Sequence, residues 1–158
     1  MTSEKKQEYT LRITQANKSG LVVILYELFF EYIREAEEAL AADDRHGYSV
    51  GIDRAQDVLT ELIGSLNMDR DPAPAIYRVY LYVSARMGLA KGSLKKELLD
   101  DPLRLMHSLY ETYKKDSACD TDAPVMGNSQ KVYAGLTYGK GALTESMDEG
   151  NGNRGFFV

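Results

Sequence analysis

The stretch Tyr48-Ser-Val-Gly-Ile-Asp-Arg-Ala-Gln-Asp-Val-Leu-Thr-Glu-Leu-Ile-Gly-Ser-Leu66 decides the fold. Tyr48, Ile52, Ala55, Leu59, Leu62 and Leu66 recur at alternating steps of four and three, the spacing that keeps side chains on one stripe of an α-helix. Asp53, Arg54, Asp57, Thr60 and Glu61 fill the other side, so one face meets a core and the other meets water or a polar partner. Gly51 and Gly64 each cost about 1 kcal/mol relative to alanine in a helix. Packing against neighbours must therefore hold the segment.

Those neighbours lie on both sides of it. Leu21 to about Ala42 reads as a helix capped by Asn17 or Ser19, with Leu21, Ile24, Leu25, Leu28, Phe29, Tyr32, Ile33, Ala36 and Leu40 as its core stripe. Val22, Val23, Tyr26 and Phe30 add apolar surface on the flanks of that stripe. Burying a Tyr or Phe contributes on the order of 2 to 3 kcal/mol, so leaving several wet is a cost that a bound peptide removes. Asp43 to Gly47 makes the turn, with the acidic residues placed to cap the helix that follows.

After the deciding stretch, Asn67 to Pro74 is a loop, and a third helix is expected from about Ala75 to Ala90. Ile76, Val79, Tyr80, Val83 and Met87 point inward, while Tyr77, Leu81 and Tyr82 leave a second apolar surplus. Lys91-Gly92-Ser93 breaks the chain, and Leu94 to Leu99 reads as a short helical piece. Asp100-Asp101-Pro102 carries the N-cap and N1-proline signature of a last helix reaching about Lys115, with Leu105 or Met106, Leu109 and Tyr113 inward. The chain is thus all-α, with four amphipathic helices.

Both ends differ from this middle. Residues 1 to 19 are polar except for Tyr9, Leu11 and Ile13, which alternate as an extended segment would and could lie in one groove; the alternative is a frayed terminus. Past Asp116, seven of the thirteen glycines fall between Gly127 and Gly155, a composition that is flexible or orders only on another surface. That tail still holds Val125, Met126, Val132, Tyr133, Leu136, Tyr138, Leu143 and Phe156-Phe157-Val158 as anchors for the bundle or a partner. The organisation expected is 1–19 as a flexible N-terminal segment, 20–115 as the helical domain and 116–158 as a Gly-rich tail.

Composition narrows the function. With 158 residues, 44% hydrophobic and 27% charged, the chain supports one core, and a formal charge of −5 argues against a phosphate backbone as ligand, so no nucleic-acid partner is expected. The single cysteine, Cys119, has no mate and sits beside Asp120, which suits a surface thiol in a reducing compartment. No run approaches a signal peptide or the roughly 18 apolar residues of a membrane span, so a cytoplasmic location is expected.

Motifs of catalysis fail on context. Gly150 to Gly155 has the letters of a dinucleotide fingerprint without the strand and helix that give it meaning, and Gly135 to Gly141 is one residue short of a phosphate loop. His46 and His107 lie in different elements, and neither has a Glu three residues before it. No spacing brings a histidine to a serine or to Cys119. We therefore expect no catalytic residues, no cofactor and no metal site.

Over roughly residues 9 to 115 the chain resembles the flagellin export chaperones of the FliS type. The resemblance rests on Leu21-Val-Val-Ile-Leu-Tyr-Glu27, on Arg54-Ala-Gln56 with Glu61-Leu-Ile-Gly-Ser-Leu66, and on Ile76-Tyr-Arg-Val-Tyr-Leu-Tyr-Val83 with Arg86. The chain departs from the family pattern at Ala16-Asn17-Lys18, Leu28 and Tyr113. The resemblance implies an antiparallel four-helix bundle that binds the disordered C-terminal segment of flagellin, prevents premature polymerisation and delivers it to the export apparatus. It also implies an N-terminal segment covering the groove, which assigns Tyr9, Leu11 and Ile13 as a plug. Helical phase and resemblance together assign Val22, Tyr26, Phe30, Tyr77 and Leu81 as partner contacts. Export-gate and flagellar regulatory proteins are further candidate partners, and a helical adaptor serving another cytoplasmic flagellar protein is the alternative reading.

Overall fold

The structure, a computed structural model, describes residues 1–126. Both glycine-rich motifs and the tail anchors from Val132 onward lie outside the described residues. Five α-helices follow in order: α1 Ser3–Gln15, α2 Lys18–Ala41, α3 Arg45–Gly64, α4 Ala73–Ser93 and α5 Asp100–Cys119, with a 3₁₀ turn at Lys96–Leu99. No strand occurs among the described residues.

The deciding stretch is α3, and it buries Tyr48, Gly51, Ile52, Ala55, Val58, Leu59 and Leu62. Its start is set by a compact turn. Asp43 takes the left-handed conformation (φ 58°) and its N–H donates to Leu40 O, while Asp44 N–H donates to Ala39 O, a Schellman-type closure of α2. The Asp44 side chain then accepts from Gly47 N at 2.8 Å and caps α3. Three residues thus reverse the chain, and α2 and α3 must pack as an antiparallel pair. They pack closely at Gly51, where a Cβ would lie 2.7 Å from Ala36 Cβ and 2.9 Å from Ala36 Cα.

The other pairs run antiparallel too. From α2 to α5, Ser19 meets Asp120, Tyr26 meets Tyr113, and Phe30 stacks on His107, so one register falls as the other climbs. From α3 to α4, Asp53 meets Lys91 and Gln56 meets the Ser84 carbonyl. With α4 packed on α5, the four helices close a ring around Tyr26, Phe29, Ile33, Ile52, Leu59, Leu62, Tyr80, Val83, Met87 and Met106. The expected antiparallel four-helix bundle is the observed fold.

Four expectations need correction. The N-terminal segment is an ordered helix rather than an extended or flexible strand. Thr2 caps it by accepting from Lys5 N, and Glu, Lys and Gln dominate its sequence, so helix propensity outweighs an alternation carried by three residues. On α2 the buried stripe is Val23, Ile24, Tyr26, Phe29, Ile33 and Ala36, while Leu21, Leu25, Leu28, Tyr32 and Leu40 are half-buried, because α1, α3 and α5 cover this helix from several sides. Residues Lys91 to Ser93 continue α4, which ends where Leu94 turns left-handed at φ 55°. Finally, α5 is preceded by Leu99 without a side-chain cap, Pro102 sits in its first turn fully buried, and the helix reaches Cys119.

Candidate functional site

The aromatic centre of the bundle holds two of the residues expected at the partner surface, Tyr26 and Phe30. Tyr26 is fully buried, and its hydroxyl lies 2.6 Å from that of Tyr80, also buried. The rings of Tyr110 and Tyr113 close over Tyr26 at 6.1 and 5.6 Å. Burial, above all, pushes the Tyr26 and Tyr80 hydroxyls far above the ordinary tyrosine range, so both remain neutral donors and acceptors to each other. Phe30 is half-buried, stacked on the His107 ring at 3.9 Å and edge-on to Tyr110. Val22 is half-buried at one end of the bundle.

The assigned contacts therefore do not share one groove. Tyr26 and Phe30 pack against α5, Val22 stands at the bundle end beside Ile76 and Tyr113, Tyr77 is half-buried and Leu81 is 47% exposed on α4. What α4 shows instead is a whole outer face. Arg78, Leu81, Tyr82, Ala85, Gly88, Leu89 and Gly92 are all exposed and fall on the side of the helix opposite Ile76, Tyr80, Val83 and Met87. Leu89 is 58% exposed and Tyr82 41%. A Cβ at Gly88 or Gly92 would meet nothing within 4 Å, so no internal packing asks for glycine there. By contrast, the outer side of α3 exposes Arg54, Asp57, Thr60 and Glu61. One face is dressed for water and the other is not.

The plug residues divide by helical phase. α1 packs on α2, and Tyr9 and Ile13, one turn apart, are half-buried while Leu11 is 36% exposed. Charges align the two helices: Lys5 Nζ lies 2.7 Å from Glu31, and Arg12 lies 2.6 Å from Glu27, with the Arg12 guanidinium over the Tyr9 ring. Hydrogen bonding from Arg34, then from Lys5, holds the Glu31 carboxyl down to about 2. Glu27 also accepts from the Tyr110 hydroxyl of α5 at 3.3 Å, so α1 stands beside the α2–α5 seam.

No group of three or more His, Cys, Asp or Glu side chains that could hold a metal occurs among the described residues, and Cys119 is exposed. No described helix is long and apolar enough to cross a membrane. The sequence already places Leu81 and Tyr82 in an apolar surplus on this helix; Gly88 and Leu89 continue the same face, and the expected end at Ala90 leaves out only its last member, Gly92.

The family model described as flagellar protein FliS matches residues 1–119 of the chain. No curated protein matches it.

Proposed function

Because the chain belongs to the FliS family of flagellar chaperones, we propose that it binds the disordered C-terminal segment of flagellin in the cytoplasm, keeps it from polymerising and hands it to the export apparatus. The observation that carries this reading is the outer face of α4. The bundle core closes without it, yet it presents Leu81, Tyr82 and Leu89 with a single charge, Arg78, among its seven positions. An amphipathic helix laid along that face would bury the leucines, and Gly88 and Gly92 would let its backbone approach closely. A segment that folds as it binds gives up ordering entropy, so the affinity per area is low and release at the export apparatus is easy.

The α2–α5 seam is a second contact in this reading. There the client displaces α1, with Tyr9 and Ile13 as the covering residues, and reaches Val22 and Phe30 beneath. Tyr26, enclosed by Tyr80, Tyr110 and Tyr113, supports that seam from inside. Calorimetry with the terminal forty or so residues of a flagellin tests the proposal. Association is expected with the native chain, and Leu81→Lys with Leu89→Lys should weaken it at least tenfold while leaving the helical circular dichroism unchanged. No heat with the native chain, or equal affinity in the double variant, overturns it.

A further inference from the structure

A cavity of about 350 Å³ opens at the end of the bundle where α2 begins and α5 ends. Its apolar side is made by Val22, Leu66, Ile76 and Tyr113, one from or beside each of the four bundle helices. Its rim is acidic: Asp71, Asp116, Asp120 and Asp122 stand against Lys18 and Arg70. Asp120 is engaged, accepting from Ser19 at 2.5 Å and from Asp122 N at 2.9 Å. Asp71, Asp116 and Asp122 make no ion pair with another described residue. The site is thus greasy at its floor and negative at its mouth, which suits a side chain or segment that is both apolar and cationic.

The chain delivers such a segment to this place. Beyond Cys119 it doubles back, with Asn17 Nδ2 donating to the Asp120 and Asp122 carbonyls and Val125 N–H donating to Ala16 O at 3.1 Å. Residues 120 to 126 are thereby pinned to the α1–α2 junction at the cavity's edge. Five residues after Met126 comes Lys131, then Tyr133, Leu136 and Tyr138. From Ala123 to Thr144 the only charges are Lys131 and Lys140, with no acid, although the whole chain carries −5. At roughly 3.3 Å per extended residue, Lys131 and Tyr133 can reach any point of the cavity.

We propose that the segment from Lys131 to Tyr138 docks in this cavity of its own chain, with Tyr133 on the Val22–Ile76 floor and Lys131 at the aspartate rim. A short tether gives such a segment an effective concentration in the mM range, so an untethered peptide must compete with it to enter. The inference does not depend on which client the α4 face receives, and the segment lies beyond the residues matched by the family.

Cys119, the chain's only cysteine, is exposed and sits beside the rim, which makes it the natural position for a nitroxide label. In the full labelled chain, amide signals of residues 131 to 138 are expected to lose at least twice the intensity lost by residues 127 to 130. The paired variant Asp116→Lys with Asp122→Lys, at exposed positions, should abolish that second maximum. Truncation after Met126 and the variant Lys131→Glu with Tyr133→Ser should each shift the Val22 and Ile76 methyl signals in the same direction. Broadening that decays steadily along the tail, or methyl signals indifferent to truncation, overturns the proposal. Broadening that appears only between a labelled copy and an isotope-enriched second copy also overturns it, by assigning the cavity to another molecule's tail.

Discussion

The paired hydroxyls of Tyr26 and Tyr80 make the sharpest quantitative test of the core. Each is the other's hydrogen-bond partner at 2.6 Å, and both residues are essentially without solvent access. Tyr26→Phe removes one hydroxyl and leaves the other buried and unpaired, which costs about 1 to 3 kcal/mol; Tyr80→Phe does the same from the other side. Replacing both exchanges a polar pair for apolar groups of the same shape and should return stability to within about 1 kcal/mol of the native chain. Urea unfolding followed by circular dichroism reads the difference as a shift in midpoint at constant slope. The pair also carries a pH signature. Both hydroxyls are held above the ordinary tyrosine value of 10.0, so above that pH the unfolded chain releases protons that the folded chain keeps. Stability from this pair is therefore complete below about pH 10 and declines as pH rises further, and the double variant should show a shallower alkaline decline. Losses that simply add in the double variant would refute the pairing.

Three further outcomes follow from the packing. Gly51→Ala should destabilise by about 1 to 2 kcal/mol, because overpacking against Ala36, whose backbone atoms would lie within 3.0 Å of the new Cβ, outweighs the helix-propensity gain; Gly88→Ala, with open space, should stabilise by about 0.5 to 1 kcal/mol in the same urea assay. Lys5→Glu with Arg12→Glu should loosen α1 from Glu31 and Glu27 and speed association with a flagellin C-terminal segment in stopped-flow measurements, whereas unchanged or slower association would show that α1 does not cover the client's path. The Glu31 carboxyl, held down to about 2 by Arg34 first and Lys5 second, keeps its stabilising charge above the ordinary 4.5 and loses it as pH falls toward 2; amide exchange in α1 should accelerate over that window before the bundle opens.

How much of this could be read from the letters differs from helix to helix. The buried stripe of α3 is legible because its two faces differ completely, but its bounds are not: the turn expected over Asp43 to Gly47 closes at Asp44, which caps a helix running Arg45–Gly64 rather than Tyr48 to Leu66. α1 is not legible as a helix, because Tyr9, Leu11 and Ile13 together fit a period of two while only Tyr9 and Ile13 stand one helical turn apart; the pairing of Lys5 and Arg12 with Glu31 and Glu27, which fixes the face, is a tertiary fact. The start of α5 was misplaced for a related reason. The sequence puts Pro102 at the first helical position, but the helix begins two residues earlier, at Asp100, and Pro102 is fully buried inside its first turn.

The apolar surpluses on α2 and α4 looked alike in sequence, and only packing separates them. α5 has a narrow stripe of its own, and it completes its contact by taking Tyr26 and Phe30 of α2 beneath Tyr110, Tyr113 and His107. That surplus belongs to the fold. The surplus on α4 lies opposite its buried face, where each bundle helix has already found its neighbours, so it contributes nothing to closing the core. Lysine at Leu81 and Leu89 should then change folding stability by no more than about 0.5 kcal/mol, the range typical of surface positions, while removing the contacts offered to a client. On the proposed reading, fold and binding are energetically separable on α4 and inseparable on α2, where Tyr26 and Phe30 also hold α5, so variants on α4 should report on the client alone.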